Sequence, residues 1–237
     1  IDNIVGSFSN DDIESLMDAL LFLAYLYRRS GDNSESKHIL DQIVHLYNHG
    51  EFDETPNPFD KEELLDWLES SESEYTFSVL CRIKRQIANF YWATGDLIGS
   101  AKLYENLMDY YKGVKELDKV DNARVNLGIL KSYLGEYEVS DELQNECLDY
   151  RRKEYTKVND GDTGEITKAL RNLGQNAMAW RKFEKAKQYF TKCIDELRKV
   201  PSEGAHRDVI ARYIGFNERC VMVCDINIQI MNVQNHY

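Results

Sequence analysis

Proline and glycine are scarce in this 237-residue chain, three and thirteen respectively, too few for an all-β protein built on many tight turns. Long apolar runs are missing as well. The longest, Ala19 to Tyr27, is bracketed by Asp18 and Arg28 and is too short to span a bilayer. There is no secretory leader pattern, and five cysteines is an odd number for a disulfide framework. These absences predict a soluble cytoplasmic protein with no membrane contact. A basic excess is also lacking: 29 Lys and Arg against 41 Asp and Glu leave a net charge of −12. Direct contact with nucleic acid is therefore not expected, because phosphate attraction needs a basic surface. No Gly-rich phosphate loop, nucleophile elbow or paired-carboxylate motif is present. The expectation is a protein that is not an enzyme and holds no cofactor.

The acidic charge is concentrated. Residues 49–76 carry ten acidic side chains against Lys61 alone, which accounts for −9 of the −12. Pro56 and Pro58 make 49–59 a loop, and Asp60 with Glu63 resembles a capping box opening a short helix to about Glu69. The remainder has helical periodicity. Leu16, Leu20, Leu23, Ala24 and Tyr27 recur at spacings of three and four, and so do Ile39, Leu40, Ile43, Val44 and Tyr47. Gly31, Gly95 and Gly135 break the helices into pairs. The predicted organisation is a single domain over 1–237. Its helical hairpins lie at about 11–48, 75–112, 118–158 and 163–200, with an acidic insert at 49–74 and a lone C-terminal helix at about 205–233. The chain opens on Ile1 rather than Met, so it is expected to be part of something longer.

The hairpins are copies of one unit. Asn126-Leu127-Gly128 recurs 46 residues later as Asn172-Leu173-Gly174. Aligned on their turns, the first helices share an apolar site (Leu23, Ile87, Leu127, Leu173) followed by a small one (Ala24, Ala88, Gly128, Gly174). The second helices share a small site (Ser36, Ser100, Ser140, Ala186), then Leu40, Tyr104, Gln144 and Phe190, then Ile43, Leu107, Cys147 and Cys193. Small residues are required where paired helices approach most closely, and large ones fill between hairpins. Leucine at Gly174 or Ala186 is therefore expected to overpack the pair.

These residues resemble the tetratricopeptide repeat, which pairs Leu-Gly in its first helix with Ala-x-x-x-Phe in its second. Ala186 and Phe190 match outright, and Ser100 with Tyr104 nearly so. The Asn-Leu-Gly start and the longer period are similar to kinesin-light-chain-type repeats, also found in bacterial signalling proteins. The resemblance covers about residues 11–200. It departs from the pattern where Lys131 and Ala177 replace a tyrosine, where Gln144 replaces a large apolar residue, and where the insert stretches the first spacing to 64. It implies an all-α, right-handed solenoid whose first helices line a concave groove.

That surface would gather Arg82, Arg85 and Asn89 from the second hairpin, Asn122 and Asn126 from the third, and Lys168, Arg171, Asn172 and Gln175 from the fourth. Amides both donate and accept, which suits them to a peptide backbone, and the cations favour acidic side chains. In related repeats, asparagines at the site of Asn126 and Asn172 contact bound peptide, and the resemblance implies the same here. His38, His45 and His49 share a helix face, but with no His-Glu-x-x-His pattern they are read as an exposed polar stripe rather than a metal site. Cys147 and Cys193 are read as core. The expected function is non-catalytic: a scaffold holding an extended, acidic protein or peptide segment in the groove. The alternative is a peptide-sensing domain of a larger bacterial signalling protein, with the chain part of a larger complex.

Overall fold

The computed structural model describes residues 10–47, 77–155, 163–200 and 206–234. Every regular element among them is an α-helix. In order these are α1 (Asn10–Ser30), α2 (Asn33–Tyr47), α3 (Phe77–Thr94), α4 (Leu97–Gly113), α5 (Leu117–Tyr133), α6 (Tyr137–Tyr155), α7 (Thr163–Ala179), α8 (Phe183–Lys199) and α9 (His206–Gln234). The acidic insert, its two prolines and His49 lie outside the described residues. The chain divides into two compact units, Ile1–Val114 and Lys115–Tyr237. In the first, α1 pairs with α2 and α3 with α4, and α3 packs on both helices of the first hairpin. In the second, α5 to α9 each pack on the next.

The same turn closes all four hairpins. The amides of Asp32, Asp96, Glu136 and Lys182 donate to the carbonyls of Tyr27, Tyr91, Lys131 and Ala177 at 2.8–2.9 Å. Each residue just before them donates to the carbonyl three back. This is a Schellman closure, and it needs a left-handed residue at its centre. Gly31, Gly95 and Gly135 supply that conformation with φ of 88°, 92° and 82°; in the fourth turn Arg181 adopts it at 60°. In the first two hairpins the aspartate after the glycine also caps the next helix. Asp32 Oδ1 accepts from the Glu35 amide at 3.1 Å and Asp96 Oδ1 from the Gly99 amide at 2.9 Å.

Both small sites of the repeat sit where the paired helices touch. Ser36 Oγ donates to the Ala24 carbonyl at 2.9 Å, and Ser100 Oγ to the Ala88 carbonyl at 2.8 Å. In the third and fourth hairpins the small residue is glycine and the side chain across from it lies flat on the backbone. A Cβ on Gly174 would stand 2.8 Å from the Phe190 ring, and one on Gly128 would stand 2.5 Å from Gln144 Nε2. Gln144 thus fills the large-apolar site despite its amide, and its Nε2 donates to the Val125 carbonyl at 3.1 Å. Cys147 and Cys193 are buried, their thiols directed at the Asp121 and Thr167 carbonyls.

The shared apolar site behaves differently in the first hairpin. Ile87, Leu127 and Leu173 are buried, whereas Leu23 is 37% exposed. In the fourth hairpin this site faces the preceding hairpin: Leu173 packs in one cluster with Leu148 of α6. No helix precedes α1 among the described residues, and among them Leu23 has no such neighbour.

Candidate functional site

Lys168, Arg171, Asn172 and Gln175 lie at i, i+3, i+4 and i+7 of α7 and so share one face. The opposite face, with Ile166, Ala169, Leu170 and Leu173, is buried in the core. α9 repeats this face 41 residues later as Val209, Arg212, Tyr213 and Phe216. The register continues, since Ile214-Gly215 follows Leu173-Gly174, and Asn217 follows Asn176 as a second buried asparagine. Between the two helices lies a cleft of about 450 Å³, lined by Arg171 and Gln175 on one wall and by Val209, Arg212, Tyr213 and Phe216 on the other. The Arg171 guanidinium stands 5.7 Å from the Tyr213 ring centroid, a cation–π contact that holds it at the cleft. Gln175 also borders a smaller cleft of about 180 Å³, where Asn172, Asn176, Gln144 and Tyr133 converge. The α7 wall is thus polar, and the α9 wall is apolar apart from Arg212.

The remaining expected residues are placed as follows. Asn172 Nδ2 lies 3.5 Å from Gln144 Oε1, at the edge of hydrogen-bond range. Asn126 Nδ2 instead donates to the Asn122 carbonyl one turn back on α5, at 3.1 Å. One of its two amide N–H donors is therefore taken by its own helix, and the two asparagines, equivalent in register, differ in what they offer a ligand. Lys168 is exposed but ion-paired with Glu165, which reduces its pull on an incoming carboxylate. In the first unit Arg85 is exposed and Arg82 half-buried. The Asn89 Oδ1 accepts from the Tyr104 hydroxyl at 2.8 Å. Burial pushes that hydroxyl up to about 12, against the opposing pull of Arg85 and Arg28. Arg28 of α1 is thus a further cation in this region.

Sequence reasoning missed the α9 wall. As a lone helix with no hairpin turn, α9 falls outside the alignment of the four hairpins on their turns. The signal that would have found them is the repeat itself, Ile214-Gly215-x-Asn217 after Leu173-Gly174-x-Asn176. Among the described residues no group of three or more His, Cys, Asp or Glu side chains is placed to hold a metal ion. His38 is exposed and hydrogen-bonds Gln42. Burial pushes the Cys193 thiol up to about 11 and also raises that of Cys224, so at neutral pH both stay protonated and poorly nucleophilic. No helix among the described residues is long and apolar enough to cross a membrane.

Residues 167–196, most of α7 and α8, match the family model of the tetratricopeptide repeat. No curated protein matches the chain in sequence. Among solved structures, the nearly identical TPR-like repeats attributed to a Podosopora anserina kinesin light chain are similar in fold. They share 13% identity at a TM-score of 0.61, with 94% of this chain and 97% of that one covered. BtubC (BKLC) from P. vanneervenii is similar at 15% identity and a TM-score of 0.60, over 95% of this chain and 83% of that one. At such identities the likeness is one of fold. The chain has an all-α, TPR-like solenoid fold, and repeats of this kind generally mediate protein interactions.

Proposed function

We propose that this chain is a non-catalytic scaffold that holds an extended acidic peptide segment against the exposed faces of its repeat helices, with α7 and α9 as the principal contact. The observation that carries this reading is the cleft of about 450 Å³ between those helices. It sets two guanidiniums, Arg171 and Arg212, beside an apolar wall of Val209, Tyr213 and Phe216. An acidic side chain or terminal carboxylate pairs with the arginines, while a neighbouring apolar side chain covers Tyr213 and Phe216. Asn172 and Gln175 are at hand for the peptide backbone. Arg82, Arg85 and Asn89, with Arg28, offer the same chemistry within the first unit, and Asn122 and Asn126 add amides on α5.

The test is peptide display against the immobilised chain, followed by affinity measurement on the selected sequences. Selected peptides should be rich in Asp and Glu with an apolar neighbour. Arg171→Glu and Arg212→Glu should each weaken binding by about 1–3 kcal/mol, and raising salt should weaken it for the native chain. The control is Lys192→Glu, on the exposed side of α8. Lys187 serves less well, since it is ion-paired with Asp225 across the α8–α9 seam. Equal affinity of the arginine variants and the control would remove the cleft from consideration.

A further inference from the structure

We propose that the cleft of about 180 Å³ between the α5–α6 hairpin and α7 is a subsite for a side-chain carboxamide, that of a glutamine or asparagine in the bound peptide. The proposal rests on the peptide-scaffold reading and adds a neutral residue beside the acidic one. What carries it is a set of buried polar atoms left over once the helices have packed. Ser140 and Asn176, 1% and 2% exposed, both line the cleft. Ser140 Oγ and Asn176 Oδ1 have no hydrogen-bond partner within the protein. Buried polar groups are rarely left so. The Asn176 nitrogen donates to the Tyr137 carbonyl at 2.9 Å, which settles which end of that amide is the acceptor. Gln144 is fixed in the same way, with its nitrogen on the Val125 carbonyl at 3.1 Å. Its oxygen has Asn172 Nδ2 at 3.5 Å, a weak contact.

The chemistry of these atoms selects the occupant. Asn176 Oδ1 and Gln144 Oε1 call for donors, and the Ser140 hydroxyl can donate to an acceptor. Among the described residues, no charged side chain lines the cleft. A carboxylate brings no hydrogen for the two oxygens, and an ammonium would lose its water with no carboxylate to pair it. A hydroxyl brings one hydrogen. A primary carboxamide brings two N–H groups for the oxygens and a carbonyl for Ser140, all on one planar group. A backbone amide has a single N–H and a chain that must continue on both sides, which a recess between packed helices does not admit. Water can serve the leftover atoms in the free protein, and a carboxamide that reproduces its hydrogen bonds displaces it without loss. Gln175 borders both clefts, so this residue lies close in the peptide to the acidic one held at Arg171.

The experiment is a nuclear magnetic resonance titration of the isotope-labelled chain with N-acetylglutamine methylamide to about 50 mM, the range such a small ligand requires. The glutamate and methionine derivatives, whose backbone amides are the same, are the controls. The side-chain amide signals of Gln144, Asn172 and Asn176 should shift with the glutamine derivative and stay in place with the other two. Ser140→Ala gives up no hydrogen bond within the protein, so it should fold and show smaller shifts. Ala179→Phe, from an exposed position lining the cleft, should fill the space and abolish them. Arg171→Glu should leave them intact, because the probe carries no charge. In the acidic peptides selected by display, replacing the glutamine or asparagine by glutamate should weaken binding to the native chain about tenfold, the loss expected for unpaired buried groups, and clearly less in Ala179→Phe. Shifts that are absent, or equal for all three derivatives, overturn the subsite and leave the arginine cleft standing. So does a selected peptide set with no carboxamide preference. Shifts specific to the glutamine derivative, in a chain that captures no acidic peptide, uphold the carboxamide site and remove the acidic-peptide reading instead.

Discussion

Ser100 and Ser140 hold the same register position in consecutive hairpins, yet they contribute differently. The Ser100 hydroxyl donates to the Ala88 carbonyl across the helix pair. The Ser140 hydroxyl is buried with no hydrogen-bond partner. A buried hydrogen bond is worth about 0.5–1.5 kcal/mol net, whereas an unpaired buried hydroxyl is a liability. Ser100→Ala should therefore lower stability by about 1 kcal/mol. Ser140→Ala should leave it unchanged or raise it slightly, and urea melts of the two variants check both. The sequence shows the two serines as one class; which of them has a partner is visible only in the packed hairpins.

At the scale of the element, each hairpin is a helix pair pressed together at one small residue and closed by one left-handed turn. Gly174 lies against the Phe190 ring, which is fully buried and cannot retreat. In Gly174→Ala the overpacking cost of about 1–3 kcal/mol exceeds the helix-propensity gain of about 1 kcal/mol, so the net change should be destabilising. Gly128 meets the far end of the Gln144 side chain instead. That amide is buried and donates to the Val125 carbonyl, so making room for a Cβ costs a buried hydrogen bond, and Gly128→Ala should also be destabilising in the same melts. The fourth turn offers the reverse case. Arg181 sits at φ 60° where the other three turns use glycine. A left-handed non-glycine residue costs about 1–2 kcal/mol, part of which glycine gives back through its freer unfolded chain. Arg181→Gly should stabilise by about 0.5–1 kcal/mol, read as a higher melting midpoint.

At the scale of the whole molecule, what binds neighbouring hairpins includes polar contacts that no repeat pattern announces. In the second unit the buried Arg151 of α6 reaches Asp121 of α5 at 2.7 Å. Its other arm reaches the Glu165 carbonyl and carboxylate of α7 at 2.9 and 3.1 Å. Three helices thus meet on one guanidinium. Arg151→Met keeps the volume but strands the buried Asp121 carboxylate, and the expected cost is about 3–5 kcal/mol. Hydrogen exchange at the amides of α5, α6 and α7 should rise accordingly, while the first unit, which makes no part of this network, keeps its protection.

The repeat was legible in the sequence because it is written by steric necessity. A close helix approach admits only small residues at Ala24, Ala88, Gly128 and Gly174, and a left-handed turn favours glycine at 31, 95 and 135. Periodicity carried the helices, and the matched sites carried their pairing. Those constraints act over one or two turns, so a linear reading recovers them. Which side chain faces which across hairpins was settled by packing alone. Asn126 and Asn172 share a register, but Asn126 is turned onto its own helix. Lys168 is one of four expected cations, but Glu165 stands beside it. The apolar wall of α9 becomes a wall because α8 sets it opposite Arg171. Local sterics propagate along the chain and can be read there; side-chain partners separated by a full hairpin exist only once the hairpins have stacked.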